Sequence, residues 1–223
     1  MNILGIDTST AASAACVLRG DGRAFEVEPP VAALGEGPAH SRQLMPGVAR
    51  CLEQAGLGYS DLDVVAVGAG PGAFTGLRIG VATARALARA HGAELRAVSS
   101  LAALALFIEA PVALPLIDAR RGELFAALYE DGRQTMEPFA AAPDVVAETV
   151  AATGKNPLAA GDGSVRFREV LETAGIRVAA PGSRAHVVRG LSVCRLASTA
   201  PPTPRDAVLP DYRRLPDARP LPR

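Results

Sequence analysis

The sequence predicts an α/β protein of two related units, the second reduced, followed by a proline-rich arm. Three observations carry this. An apolar run ending in an acid occurs twice, at residues 2–6 before Asp7 and at residues 112–117 before Asp118, and each is followed by a returning β-prone run, at 13–18 and 124–129. In the first unit two helical segments, 41–55 and 75–91, flank an apolar run at 62–67. Beyond Thr199 the chain carries seven prolines, which gives units of 1–108 and 109–199 and an arm of 200–223 that is either laid on the body or disordered.

The elements follow in order. Residues 2–6, 13–18 and 24–27 form an opening meander, joined by Asp7-Thr8-Ser9-Thr10 and by a turn at Arg19-Gly20-Asp21-Gly22-Arg23. After a Pro- and Gly-rich loop, Ser41 caps a helix through Ala55, with Leu44, Val48 and Leu52 on one face, Gly56 as its stop and a kink expected at Pro46. The run 62–67 is a strand, and the helix from Thr75 to His91 ends at Gly92. In the second unit, 112–117 and 124–129 form a hairpin and Asp131-Gly132 turns the chain again. Residues 143–152 and 166–174 read as helices, and 158–163 as a strand running into a Gly-Asp-Gly turn.

Composition narrows the function. Lys plus Arg equal Asp plus Glu at 23 each, with Lys155 the single lysine, so no overall field attracts nucleic acid and any RNA contact is local or borrowed. Cys16, Cys51 and Cys194 are far apart and odd in number, which fits buried thiols in a reducing compartment better than a disulfide framework. No apolar segment reaches the ~18 residues of a membrane span, and the expected location is the cytoplasm.

The most informative stretch is Gly68-Ala69-Gly70-Pro71-Gly72-Ala73-Phe74-Thr75-Gly76-Leu77-Arg78-Ile79-Gly80. Its glycines permit positive φ and close backbone approach, so this strand-to-helix junction serves an anion, another chain's polar groups, or simply a tight βα turn. In the following helix Gly76, Gly80, Ala84 and Ala88 recur every four residues as a ridge with almost no side-chain bulk, while Arg78, Arg85 and Arg89 lie on the opposite side. Glycine costs ~1 kcal/mol of helix propensity relative to alanine, so close packing must return that energy, either on the chain's own sheet or on a partner helix.

Other candidates are weaker. Asp7, Thr8 and Ser9, with Gly161 and Gly163 around Asp162, are tentative nucleotide contacts, against plain turn chemistry at both places. Asp118-Ala119-Arg120-Arg121-Gly122 reads as a second acid-bearing turn or a solvated hairpin. Metal catalysis is poorly supported, because His40, His91 and His186 are isolated and Leu44 stands where an i, i+4 partner of His40 would be. No GxSxG elbow occurs, and Lys155 lacks the surroundings of a Walker loop.

In the order Ile3-Leu4-Gly5-Ile6-Asp7-Thr8-Ser9-Thr10, His40-Ser41-Arg42-Gln43-Leu44-Met45-Pro46, Gly70 through Gly80 and Asp118-Ala119-Arg120-Arg121-Gly122-Glu123, the chain resembles the bacterial TsaB (YeaZ) family. Gly161-Asp162-Gly163 and Pro210-Asp211-Tyr212-Arg213 extend the likeness more weakly. The resemblance implies the actin-like ATPase (ribonuclease H-like) fold and a part in forming threonylcarbamoyladenosine beside the anticodon of tRNA. It implies that transfer is done by the paralogue TsaD, through a metal held by two histidines on the helix matching 41–55, and that the ATPase TsaE completes the assembly. Leu44 in place of the second histidine then makes this chain a non-catalytic scaffold without a required cofactor, leaves nucleotide binding open, and gives no support to a protease.

The resulting expectation is a seam for TsaD, or for a second copy when alone, formed by His40, Leu44, Val48, Gly70, Gly72, Thr75, Gly76, Gly80, Ala84 and Ala88, with tRNA touched only indirectly or weakly. The rival is an actin-like phosphotransferase using Asp7 and the Gly-Asp-Gly turn around a nucleotide and magnesium.

Overall fold

The opening meander pairs as its short β-prone runs and the turns between them predict. In the structure, a computed structural model that describes residues 1–213, β1 (Ile3–Asp7), β2 (Ala14–Leu18) and β3 (Ala24–Val27) run antiparallel. β4 (Val64–Gly68) and β5 (Glu94–Val98) add in parallel beside β1, giving the order β3-β2-β1-β4-β5. Every residue of β1 and β4 is buried, as a strand covered on both faces requires. α1 (His40–Ala55) and α2 (Phe74–His91) connect these strands, each ending on a left-handed glycine, Gly56 and Gly92.

The second half repeats the plan. β6 (Val112–Arg120), β7 (Glu123–Glu130) and β8 (Arg133–Ala141) form the meander, and β9 (Leu158–Ala160) and a two-residue β10 (Arg177–Val178) add in parallel beside β6. The order β10-β9-β6-β7-β8 is the first sheet's order with each strand replaced by its counterpart, so the duplication expected from Asp7 and Asp118 is present in the topology. Two such lobes make the actin-like ATPase fold; in the second the three meander strands are longer than in the first, and the parallel pair β9 and β10 is shorter than β4 and β5. Asp131-Gly132, with φ of 47° and 77°, is the two-residue hairpin turn between β7 and β8.

Five layers result. α1 and α2 cover the outer face of the first sheet, where Leu4, Ile6, Val65 and Val67 meet Leu44, Val48, Val81 and Ala84. α4 (Pro143–Ala151) and α6 (Arg168–Thr173) cover the outer face of the second, where Leu114, Leu116 and Leu124 meet Val146, Val150 and Leu171. Between the sheets lie α3 (Ser100–Ala105) and α7 (Gly190–Thr199), in one core that runs from Ile3, Val64 and Ala66 through Leu101, Leu104 and Val193 to Ile117 and Phe125. α3, the last helix of the first half, packs on β6 and β7, whereas α7, the last of the second, packs on β1 and β2. A Cβ on Gly5 would stand 2.7 Å from the Cys194 sulfur, which shows how closely α7 sits on the sheet.

Several expectations change. The segment 158–163 is a strand only to Ala160, and Gly161-Asp162-Gly163 opens a short helix, α5 (Asp162–Arg166), instead of a plain turn. The arm lies on the body as far as it is described: Thr203 N donates to Leu95 O at 2.8 Å, Val208 is buried, and Asp211 N donates to Ala69 O at 2.7 Å. Residues 214–223 of the expected arm lie outside the described residues.

Candidate functional site

The glycine loop and the Asp7 turn, separate motifs in the sequence, are one packing unit. A Cβ on Gly68 would lie 1.8 Å from an Asp7 carboxylate oxygen, one on Gly72 2.5 Å from Ser9 O, one on Gly76 2.0 Å from Thr8 O, and one on Gly80 2.4 Å from Thr8 Oγ1. Each glycine clears room for one part of the β1–β2 turn. Two hydrogen bonds close the joint: Thr8 Oγ1 donates to Gly76 O at 2.7 Å and Ala73 N to Ser9 O at 2.7 Å.

Asp7 is sealed beneath this joint. Its Oδ1 accepts from Ser9 N at 2.8 Å and Ser9 Oγ at 2.6 Å, and its Oδ2 accepts from Ser100 Oγ at 2.7 Å. Burial pushes its pKa above the ordinary value, while the hydrogen bonds from Ser9 and Ser100 oppose the rise. Thr8 and Ser9 are buried too, so the tentative nucleotide contacts in this turn are occupied by the chain itself. Gly161 and Gly163 are likewise filled, since Cβ atoms there would stand 2.0 Å from Leu116 O and 2.5 Å from a Leu124 methyl. All five residues are buried.

The ridge residues are corrected in the same way. Gly76, Gly80, Ala84 and Ala88 are buried against the chain's own β-sheet, as are Leu44 and Val48 on α1. Gly70 is buried and Gly72 half-buried; of the ten seam residues, Thr75 alone is exposed. Glycine and alanine ridges pack tightly against whatever lies nearest, and here that is Thr8 and the sheet. The surface of the two helices is instead formed by Arg42, Met45, Ala49 and Arg50 on α1 and by Arg78, Ala82, Ala86 and Arg89 on α2. Ala82, Ala86 and Ala90 repeat the four-residue spacing on the exposed side, a signal present in the sequence beside that of the buried ridge.

At the start of α2 the exposed Phe74 ring lies 5.0 Å from that of Tyr212 on the arm, with the Arg78 guanidinium 4.5 Å from its centroid. Sequence reasoning missed this contact, because the two aromatic residues are far apart in the chain.

His40 is buried at the first position of α1, sharing a 2.8 Å hydrogen bond with Ser13 through Nδ1, and burial holds its pKa below the ordinary value. Leu44, one turn on, lies in the core, so this helix offers one imidazole where the metal site implied by the resemblance has two. The donor set does not fit such a metal, and among the described residues no group of three or more His, Cys, Asp or Glu is placed to hold an ion.

A cleft of about 740 Å³ lies elsewhere, between the segment Val31–Gly35 with Glu36 and the second lobe's Asp118, Arg120, Asp162 and Arg166. The Asp118 carboxylate accepts from Arg120 NH1 at 3.2 Å and Arg166 NH1 at 2.8 Å, and Asp162 Oδ1 accepts from Asp118 N at 3.0 Å. The Asp118 carboxylate is thus held between two guanidinium groups. Burial, with the nearby Asp118 charge adding to it, pushes Asp162 up to about 6 from an ordinary 3.8. A raised folded-state pKa means stability that is complete below 3.8 and is lost as pH rises through about 6. Asp162→Asn keeps an acceptor for Asp118 N and removes the ionisation. In urea titrations across that window, wild type is therefore expected to lose stability relative to the variant as pH rises; parallel curves would show that Asp162 does not titrate there.

Among the described residues no helix is long and apolar enough to cross a membrane.

Comparison with known proteins agrees with this architecture. A family model described as TsaD, tRNA N6-adenosine threonylcarbamoyltransferase, matches residues 29–197. TsaB, a tRNA threonylcarbamoyladenosine biosynthesis protein of Bacillus subtilis, is 36% identical over 133 residues, covering 58% of this chain and 56% of that protein. An uncharacterised Mycobacterium tuberculosis protein is 40% identical over 149 residues, covering 64% of this chain and 66% of its own length. The chain thus spans about half to two thirds of these relatives. The solved structure of YeaZ from Pseudomonas aeruginosa superposes with a TM-score of 0.76 at 29% identity, covering 95% of this chain and 99% of that one. With a family model matched over well over half its length and TsaB and YeaZ among its relatives, the chain belongs to the TsaD-related family, in its TsaB (YeaZ) branch.

Proposed function

We propose that this chain is a non-catalytic, cytoplasmic subunit that binds and activates a TsaD-type threonylcarbamoyltransferase, in the pathway that makes threonylcarbamoyladenosine beside the tRNA anticodon. The observation that carries the reading is His40 with Leu44: on the helix where the resemblance puts the transferase's metal-binding histidine pair, one imidazole is tied to Ser13 and the second position is packed into the core. The transferase of Cereibacter sphaeroides, 40% identical over 120 residues, supports a common origin for the two kinds of subunit. Partner binding falls to the outer faces of α1 and α2, which two copies of the free chain also use to self-associate. A TsaE-type ATPase completes the assembly, and tRNA reaches it mainly through the transferase.

The test is reconstitution with tRNA and threonylcarbamoyl-adenylate. The chain alone is expected to give no modified adenosine, and the TsaD-type paralogue to give it only when this chain is added. Transfer by the chain alone would overturn the reading. Tight ATP–magnesium binding by calorimetry, with phosphate transfer to a small acceptor, would favour the phosphotransferase.

A further inference from the structure

In a chain of zero formal net charge, the outer faces of α1 and α2 are unbalanced. α2 contains no Asp or Glu and exposes Arg78 and Arg89, with Arg85 between them paired to Asp206 at 3.0 Å. α1 exposes Arg42 and Arg50 against a single acid, Glu53. None of Arg42, Arg50, Arg78 and Arg89 has an ion-pair partner among the described residues. Both helices cover the same face of the first sheet, so their arginines share one side of the molecule.

We infer that this arginine face docks a protein whose complementary helices are acidic, and that its charge ranks such a partner above a second copy of this chain. The inference rests on the partner reading given above and adds the chemistry of that partner. An isologous pair brings the same patch of both copies together, arginine against arginine. Like charges across an interface oppose binding, whereas opposite charges speed encounter and select the partner. A protein helix suits the face better than RNA: Met45, Ala49, Ala82 and Ala86 leave a low apolar surface between the arginines, and the Phe74 ring is already engaged by Arg78 and Tyr212 instead of standing free for a base.

Salt separates the two associations, because exposed charges are screened beyond about 10 Å at 0.1 M. Sedimentation of the full chain, alone and with its purified TsaD-type paralogue, is compared at roughly 50 and 500 mM NaCl. The heterocomplex is expected to weaken roughly tenfold at the higher salt, and self-association to strengthen. The triple variant Arg42→Glu/Arg78→Glu/Arg89→Glu should lose the paralogue with its melting temperature unchanged; the corresponding Gln triple should fall between and self-associate more readily than wild type. A heterocomplex indifferent to salt and to both triples overturns the inference and leaves the subunit reading standing. So does a Glu triple that keeps the paralogue but loses retention of tRNA by the complex, since the face would then belong to RNA. Failure of the wild-type chain to bind the paralogue at either salt removes both.

Discussion

Gly76→Ala is expected to lower the melting temperature by roughly 4–8 °C, although alanine is the better helix former. Two effects of opposite sign meet at this position. Propensity favours the substitution by about 1 kcal/mol. Against it, the new methyl would stand 2.0 Å from Thr8 O, a backbone atom of a buried turn that cannot swing aside. Overpacking of this kind costs about 3 kcal/mol, leaving a net loss of about 2 kcal/mol. Gly80→Ala meets Thr8 Oγ1 at 2.4 Å instead, so Thr8 must rotate and give up its bond to Gly76 O. The cycle of Gly80→Ala with Thr8→Ala should therefore be less than additive. Calorimetric melting of these four variants beside wild type checks both statements, and an unchanged melting temperature for Gly76→Ala would mean that the joint between the loop and the turn is looser than described.

Ala82→Leu and Ala86→Leu should do the reverse. Both residues are exposed, so stability is expected to stay within about 0.5 kcal/mol of wild type. An isobutyl group standing out from the face would hold a partner helix away at a cost of ~1–3 kcal/mol, a roughly ten- to hundredfold loss of affinity for the TsaD-type paralogue. Melting and binding measured on the same two proteins separate the inner ridge from the outer face. Undiminished affinity in both variants would move the seam off α2.

Much of the fold was legible because its signals are local. The meander, the glycine stops of α1 and α2 and the Asp131-Gly132 turn each follow from a few adjacent residues. β5, β8, α3 and α7 were not legible: β8 mixes polar and apolar residues, has none buried and carries Pro138, and α7 packs mainly against β1 and β2, far away in sequence. At the candidate site the periodicity of Gly76, Gly80, Ala84 and Ala88 correctly marked a close approach. It could not name what approaches, because Thr8 comes near only once β1 and β4 pair. Burial in the core, where small residues also gather, looks the same in sequence as a seam between chains.

The crossing of α3 and α7 sets an order on how the molecule comes into being. During synthesis β1 emerges long before the helix that covers its inner face, which begins at Gly190, so the first sheet must wait, half bare, until α7 has followed. Contacts of such long sequence separation make folding slow. They also bind the two halves into a single cooperative transition, in which neither lobe has a finished interior without a helix contributed by the other.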